Sequence, residues 1–250
     1  MWASSRGIVG EVVGELVLLH GFTHTGRSWA EVLAGVGERY RAFAPDLPGH
    51  GDMAWRRPAT PGAVVAHLRA LAPVRYALCG YSMGARLALR AALDLPGRVE
   101  RLVLVSGGPG IADAAERARR LEADRALADR IEAFGVERFV EEWSAQPLFD
   151  GLPRAMADAA RADRLRNEPH GLAAALRGMG QGATAPAWDR LGELEMPVAI
   201  LAGERDEKYA AIAAAMAERI PGAGLVVVPG AGHALHLERP DAVAAAITGP

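Results

Sequence analysis

The sequence predicts a doubly wound α/β fold, a mostly parallel sheet with helices on both faces and a helical insertion near its middle. Three observations carry that prediction. Short apolar runs recur along the 250 residues, helical patterns separate most of them, and one connection is far too long to be a simple crossover. With 50% of its residues apolar the chain can bury a sizeable core, and α/β chains of this length commonly form one domain.

The apolar runs are 16–19, 42–44, 76–79, 102–105, 198–201 and 225–228. Each is short, rich in Val and Leu and bounded by Gly, Pro or Asp, the signature of strands covered on both faces of a parallel sheet. Residues 7–14 are read as one more short edge strand. Helical segments are expected at 28–35, 61–71, 83–93, 210–220 and 241–247, so strands and helices alternate as in βαβ units. A parallel crossover needs a dozen or more residues, yet the stretch between Val105 and Val198 holds several helical patterns and no strand. It is read as a helical lid, residues 108–183, inserted into a core made of 1–107 and 184–250. In its first helix Ile111, Ala114, Ala118, Leu121, Ala128 and Ile131 recur at helical spacing, with Phe134 beyond, as one packed face requires.

Charge and composition remove several function classes. A formal net charge of −2 gives no basic stripe for nucleic acid, and no stretch reaches the roughly 18 apolar residues of a membrane span. The N-terminal segment MWASSRGIVG lacks a basic stretch followed by an apolar run, and the single Cys79 has no internal disulfide partner. A cytoplasmic protein acting on a small molecule is expected, with its oligomeric state left open. Lys208 is the only lysine among many arginines, a bias that by itself says nothing about function.

Gly80-Tyr81-Ser82-Met83-Gly84 matches G-x-S-x-G and stands between an apolar strand and a helical pattern. There the sharp turn lifts a serine hydroxyl above the sheet, and the glycines avoid clashes that a β-carbon would cause. Such a serine needs a base, and the base needs an orienting carboxylate, in the chain order Ser, acid, His. Asp206, in LAGERDEKY, and His233, in VVVPGAGHALH, each follow a strand's C-terminal end, the edge where ligands bind in open sheets. Their rivals are Glu204 and His236. In LVLLHGF, Phe22 follows the first strand, so the backbone N–H groups of Phe22 and Met83 form the expected oxyanion hole. His20 is read as a loop-tying histidine, while His24 and His50, in the loops HGFTHTG and DLPGHG, can face the pocket or simply be solvated loop histidines. No spacing of His, Cys or acidic residues forms a metal site and no G-x-G-x-x-G opens the first helix, so neither metal nor cofactor is expected.

Arg86 lies one helical turn past Ser82, in the first turn of a helix whose free N–H groups already favour anions. An anionic substrate follows if it faces the site. The alternative is a solvated polar stripe formed with Arg90 and Asp94.

Together HGF, DLPGHG, GYSMG, GERD and GAGH resemble the α/β-hydrolase superfamily, which implies the α/β-hydrolase fold and a Ser-His-Asp triad. The segments GYSMGARLAL, AERARRLEADR, EEWSAQPLF, GERDEKY and GAGHALHLERP, lid included, are similar to the 2-succinyl-6-hydroxy-2,4-cyclohexadiene-1-carboxylate synthase family of menaquinone biosynthesis. That resemblance implies a lyase whose triad serine acts as a base and whose enolpyruvyl group leaves as pyruvate. It further implies that Arg86, Arg120 and Arg166 bind a substrate with several carboxylates, and that Tyr81 and Trp143 line its pocket. A planar guanidinium suits that task by bonding a carboxylate at two points. Competing readings are a carboxylesterase or thioesterase with an acyl-serine, which would prefer an apolar pocket, and a binding protein that retains its triad without turnover. On the residues alone Arg120 can instead pair with Glu116 and Asp124, Arg119 is its rival, Arg161 and Arg164 compete with Arg166, and Trp143 can be lid core.

Overall fold

The computed structural model describes residues 14–249. Six strands, β1 (Gly14–Leu19), β2 (Tyr40–Phe43), β3 (Tyr76–Tyr81), β4 (Val99–Val105), β5 (Val198–Gly203) and β6 (Gly224–Val228), form one parallel sheet in the order β2-β1-β3-β4-β5-β6. The doubly wound prediction holds. The strand expected at 7–14 lies outside the described residues except for Gly14, which opens β1.

Alternation along each strand feeds two cores. Val17, Leu19, Tyr76 and Leu78 pack on one face with α2 (Pro61–Leu71), α3 (Met83–Asp94) and α8 (Glu207–Ala217). Leu16, Leu18, Ala77 and Cys79 pack on the other with α1 (Ala30–Val36) and α10 (Pro240–Thr248). A period of two in a parallel sheet leaves every central residue covered. The edges depart from the expected double cover: β6 leaves Leu225, Val226 and Val227 exposed, and most of β2 is exposed as well. Among the described residues each has one neighbouring strand, so cover from the next strand's helices is missing.

Between β4 and β5 lie α4 (Ala114–Phe134), α5 (Val136–Ser144), α6 (Arg154–Arg164) and α7 (Pro169–Met179). Ala128 and Ile131 of α4 meet Leu172, Ala173 and Leu176 of α7. The single packed face expected for α4 is shorter than its spacing implied. Ala114 and Ala118 are exposed and Phe134 is half exposed, because α7 covers only the part of α4 around Asp124, Ala128 and Ile131. A short α9 (Leu235–Glu238) precedes α10.

The helical insertion is fastened to the core through polar side chains. Asp163, at the end of α6, accepts from the Thr25 N–H at 2.9 Å and the Thr25 hydroxyl at 2.5 Å, and lies 3.1 Å from His24 Nδ1. Burial alone would raise the Asp163 carboxyl, but the bonds from His24 and Thr25 outweigh it and hold the group at about 2. A carboxyl depressed by folding stabilises the native state above its unfolded value of roughly 3.9. That contribution is lost as pH falls toward the folded value, so the thermal midpoint should drop between about pH 4 and pH 2. Asp163→Asn should flatten this acid limb in a calorimetric pH series; superimposable slopes for the two proteins would rule out the linkage. Among the described residues no helix is long and apolar enough to cross a membrane.

Candidate active site

Because all strands are parallel, their C-terminal ends meet on one edge, and three loops there converge. Ser82 sits between β3 and α3 with φ 52° and ψ −109°, a left-handed conformation uncommon for a residue with a side chain. The turn is tight on both sides. A β-carbon on Gly84 would strike the Leu19 carbonyl, and one on Gly80 would strike the Gly84 backbone. The Ser82 N–H donates to the Val105 carbonyl at 2.9 Å, tying the turn to the end of β4.

His233 Nε2 lies 3.1 Å from Ser82 Oγ, and His233 Nδ1 lies 2.6 Å from Asp206 Oδ2. Both the imidazole and the carboxylate are buried. Asp206 also caps α8, its other oxygen accepting from the Tyr209 N–H at 3.4 Å, so the helix start fixes the carboxylate's direction. The rivals are occupied elsewhere. Glu204 accepts from the Gly230 N–H at 2.9 Å, while His236 is buried against Tyr81 and Trp29. His20 bridges the Gly21 carbonyl and the Leu47 N–H, a loop-tying role. His24 and His50 are fully enclosed, and burial pulls both below the ordinary histidine range. Such an array can move a proton between a substrate atom, the hydroxyl and the imidazole, with the carboxylate holding the ring's tautomer.

A cavity of about 190 Å³ opens over Ser82, and Phe22, Met83, Arg86, Arg120, Trp143 and His233 are among its lining residues. A second lobe of about 370 Å³ adjoins it, sharing Arg86, Gln181, Lys208 and Tyr209. Phe22 N–H has no hydrogen-bond partner among the described residues, and the Met83 N–H belongs to the unpaired first turn of α3. Both are free to meet an oxygen.

Family comparison agrees with this geometry. The model of the alpha/beta hydrolase family matches residues 16–246. The chain belongs to the alpha/beta hydrolase family. Within it, the chain is 37% identical over 235 residues to a Bacillus subtilis (strain 168) protein provisionally named 2-succinyl-6-hydroxy-2,4-cyclohexadiene-1-carboxylate synthase, spanning 90% of this chain and 85% of that one. It is 34% identical over 239 residues to the synthase of that name from Klebsiella pneumoniae (strain 342), spanning 93% of this chain and 91% of the relative. The solved structure of MenH from S. aureus superposes with a TM-score of 0.89 at 34% identity, over 96% of this chain and 94% of that one.

In this alpha/beta hydrolase two arginines, Arg86 and Arg164, are buried. The Arg86 Nη2 donates to the Met179 carbonyl at 2.7 Å, while its Nε has no hydrogen-bond partner among the described residues. Burial pulls this guanidinium below its ordinary value, partly offset by Tyr209. The polar stripe read from the sequence therefore divides: Arg90 pairs with Asp94 outside, and Arg86 turns inward. Arg120 does two things at once, pairing with Asp124 at 2.7 Å and lining the cavity. Trp143 likewise packs on Phe22, with ring centroids 5.3 Å apart, and faces the cavity.

Two expected residues are not brought there. Tyr81 ends β3 and packs behind the site, its ring 3.9 Å from His236 and 5.5 Å from His233. Arg166 is exposed and away from the cavity. Arg164, two residues earlier, is the buried one. It lies over the Phe149 ring at 4.5 Å and donates to Ser144 Oγ at 2.8 Å, leaving Nε and Nη2 buried without partners.

Proposed function

We propose that this chain is a carbon–oxygen lyase of menaquinone biosynthesis. It eliminates pyruvate from 2-succinyl-5-enolpyruvyl-6-hydroxy-3-cyclohexene-1-carboxylate to give 2-succinyl-6-hydroxy-2,4-cyclohexadiene-1-carboxylate. The observation that carries the reading is the buried Arg86 guanidinium in the wall of the cavity that also holds Ser82. An uncompensated buried cation is costly, and an anionic ligand is what would relieve it. Neutral esters would not.

In this reading the most acidic C–H of the substrate is on the ring carbon that bears the succinyl ketone. Ser82 Oγ takes that proton while His233 Nε2 takes the hydroxyl's, and Asp206 stabilises the imidazolium. The electron pair of the C–H bond delocalises onto the ketone oxygen, which lies between the N–H groups of Phe22 and Met83. It then returns to form the ring diene as the C–O bond to the enolpyruvyl group breaks. The departing enolate takes a proton from His233 and becomes pyruvate. Every proton and electron pair is accounted for without a cofactor, and no acyl-enzyme forms.

Arg86 and Arg120, both in the cavity wall, hold substrate carboxylates. Residues 108–183 serve as the lid over the core formed by 1–107 and 184–250. Incubating the purified protein with the enolpyruvyl substrate, coupled to lactate dehydrogenase, should show stoichiometric pyruvate. Rapid p-nitrophenyl ester hydrolysis with no pyruvate would instead make it an esterase.

A further inference from the structure

Phe22 and Thr23 are the central residues of a turn closed by the His24 N–H donating to the Gly21 carbonyl at 3.2 Å. Thr23 adopts φ 74°. A positive φ at the third residue of a turn ordinarily selects glycine or asparagine, and a β-branched residue there is strained. Such strain persists only where surrounding groups over-determine the conformation. Here the strained residue directly follows Phe22, whose N–H is unpaired among the described residues and which lines the cavity.

The groups that hold this turn come from the lid. Asn167, buried just beyond α6, donates to the Thr23 carbonyl at 2.6 Å and accepts from the Gly51 N–H at 3.0 Å. Asp163 holds Thr25 through both its backbone N–H and its hydroxyl, and meets His24. Three consecutive residues after Phe22 are thus fixed by two lid side chains more than a hundred positions away in sequence.

We infer that Asn167 and Asp163 are positioning residues for catalysis: from the lid they hold the strained turn that aims the Phe22 N–H at the developing oxyanion. The catalytic N–H is competent only while the end of α6 is docked. This inference rests on the synthase reading for its substrate, but not for its geometry. Because the oxyanion forms only toward the transition state, loosening the turn lowers kcat and leaves KM nearly unchanged.

The test is a double-mutant cycle. Asn167→Asp keeps the acceptor for Gly51 but replaces the donor to Thr23 with a carboxylate, and it should lower kcat for pyruvate release by about tenfold with KM within about twofold. Thr23→Gly removes the strain that the asparagine opposes. In the Thr23→Gly background the loss caused by Asn167→Asp should therefore shrink to about threefold or less. A kcat within about twofold of the parent, or an equal loss in both backgrounds, overturns the inference. If Asn167→Asp does not fold, Asp163→Asn is measured in the same two backgrounds with the same criteria. The series is repeated on p-nitrophenyl acetate, whose tetrahedral intermediate would use the same two N–H groups. A wild-type protein that hydrolyses this ester but releases no pyruvate sinks the synthase reading while leaving the cycle readable; a protein with neither activity sinks both.

Discussion

Ser82→Ala is expected to lower kcat for pyruvate release by about 10⁴-fold or more while leaving the thermal midpoint nearly unchanged. The hydroxyl's hydrogen-bond partner in the structure is His233 Nε2 at 3.1 Å, so its removal breaks no contact that holds the fold. The strained backbone is served equally well by alanine, since Ser and Ala share the same β-carbon and the Ser82 N–H still reaches the Val105 carbonyl. What disappears is the oxygen proposed to take the ring proton. His233→Ala should cost about as much, because a hydroxyl without its base is a poor proton acceptor, and the double variant should be little worse than either single one. That non-additivity, measured in single-turnover pyruvate assays on folded proteins, is the signature of groups acting as one unit. Losses that multiply, or a Ser82→Ala enzyme within about tenfold of wild type, would mean that Ser82 and His233 do not act together.

The triad was legible because each member sits in a short motif at the end of an apolar strand, and parallel strands put those ends on one edge. Arg86 was legible for a related reason, its single helical turn from Ser82 being a local distance. What was hidden depends on orientation or on long-range pairing. Tyr81 adjoins Ser82 in sequence, yet it is the last residue of β3 and belongs to the face packed by Trp29 and Val32, so its ring passes behind the histidines. Arg164 ends α6 and Arg166 lies in the turn just beyond it, and only the packing of this helix end decides which one is buried. The shortened face of α4 depended on how far α7 extends alongside it. Asp163 and Asn167 carry no local signal at all, because their partners Thr25 and Thr23 lie in another part of the chain. A buried Asp-x-x-x-Asn pair reads from sequence as ordinary helix polarity.

Arg86→Met is expected to reduce kcat/KM for pyruvate release by about 10²- to 10³-fold, which is the loss of roughly 3–4 kcal/mol and fits a two-point charged contact made in a dry cavity. Methionine fills much of the same volume, so the substitution removes charge and donors rather than packing. Its effect on stability should run the other way. Arg86 is buried with an unpartnered Nε beside the equally cationic Arg120, and burial pulls its pKa down. A buried cation so poorly compensated costs the empty protein stability, so Arg86→Met should keep or raise the thermal midpoint. Arg86→Lys should restore only part of the rate, because an ammonium cannot span two carboxylate oxygens as a guanidinium fork does. Hydrolysis of p-nitrophenyl acetate should survive both substitutions, since a neutral ester makes no use of the clamp. A destabilising group beside Ser82 is what the proposed anion-binding role of Arg86 would account for. An Arg86→Met protein that is as active as wild type on the tricarboxylate, or that loses ester and pyruvate activity in equal measure, would show that Arg86 shapes the cavity and does not grip an anion there.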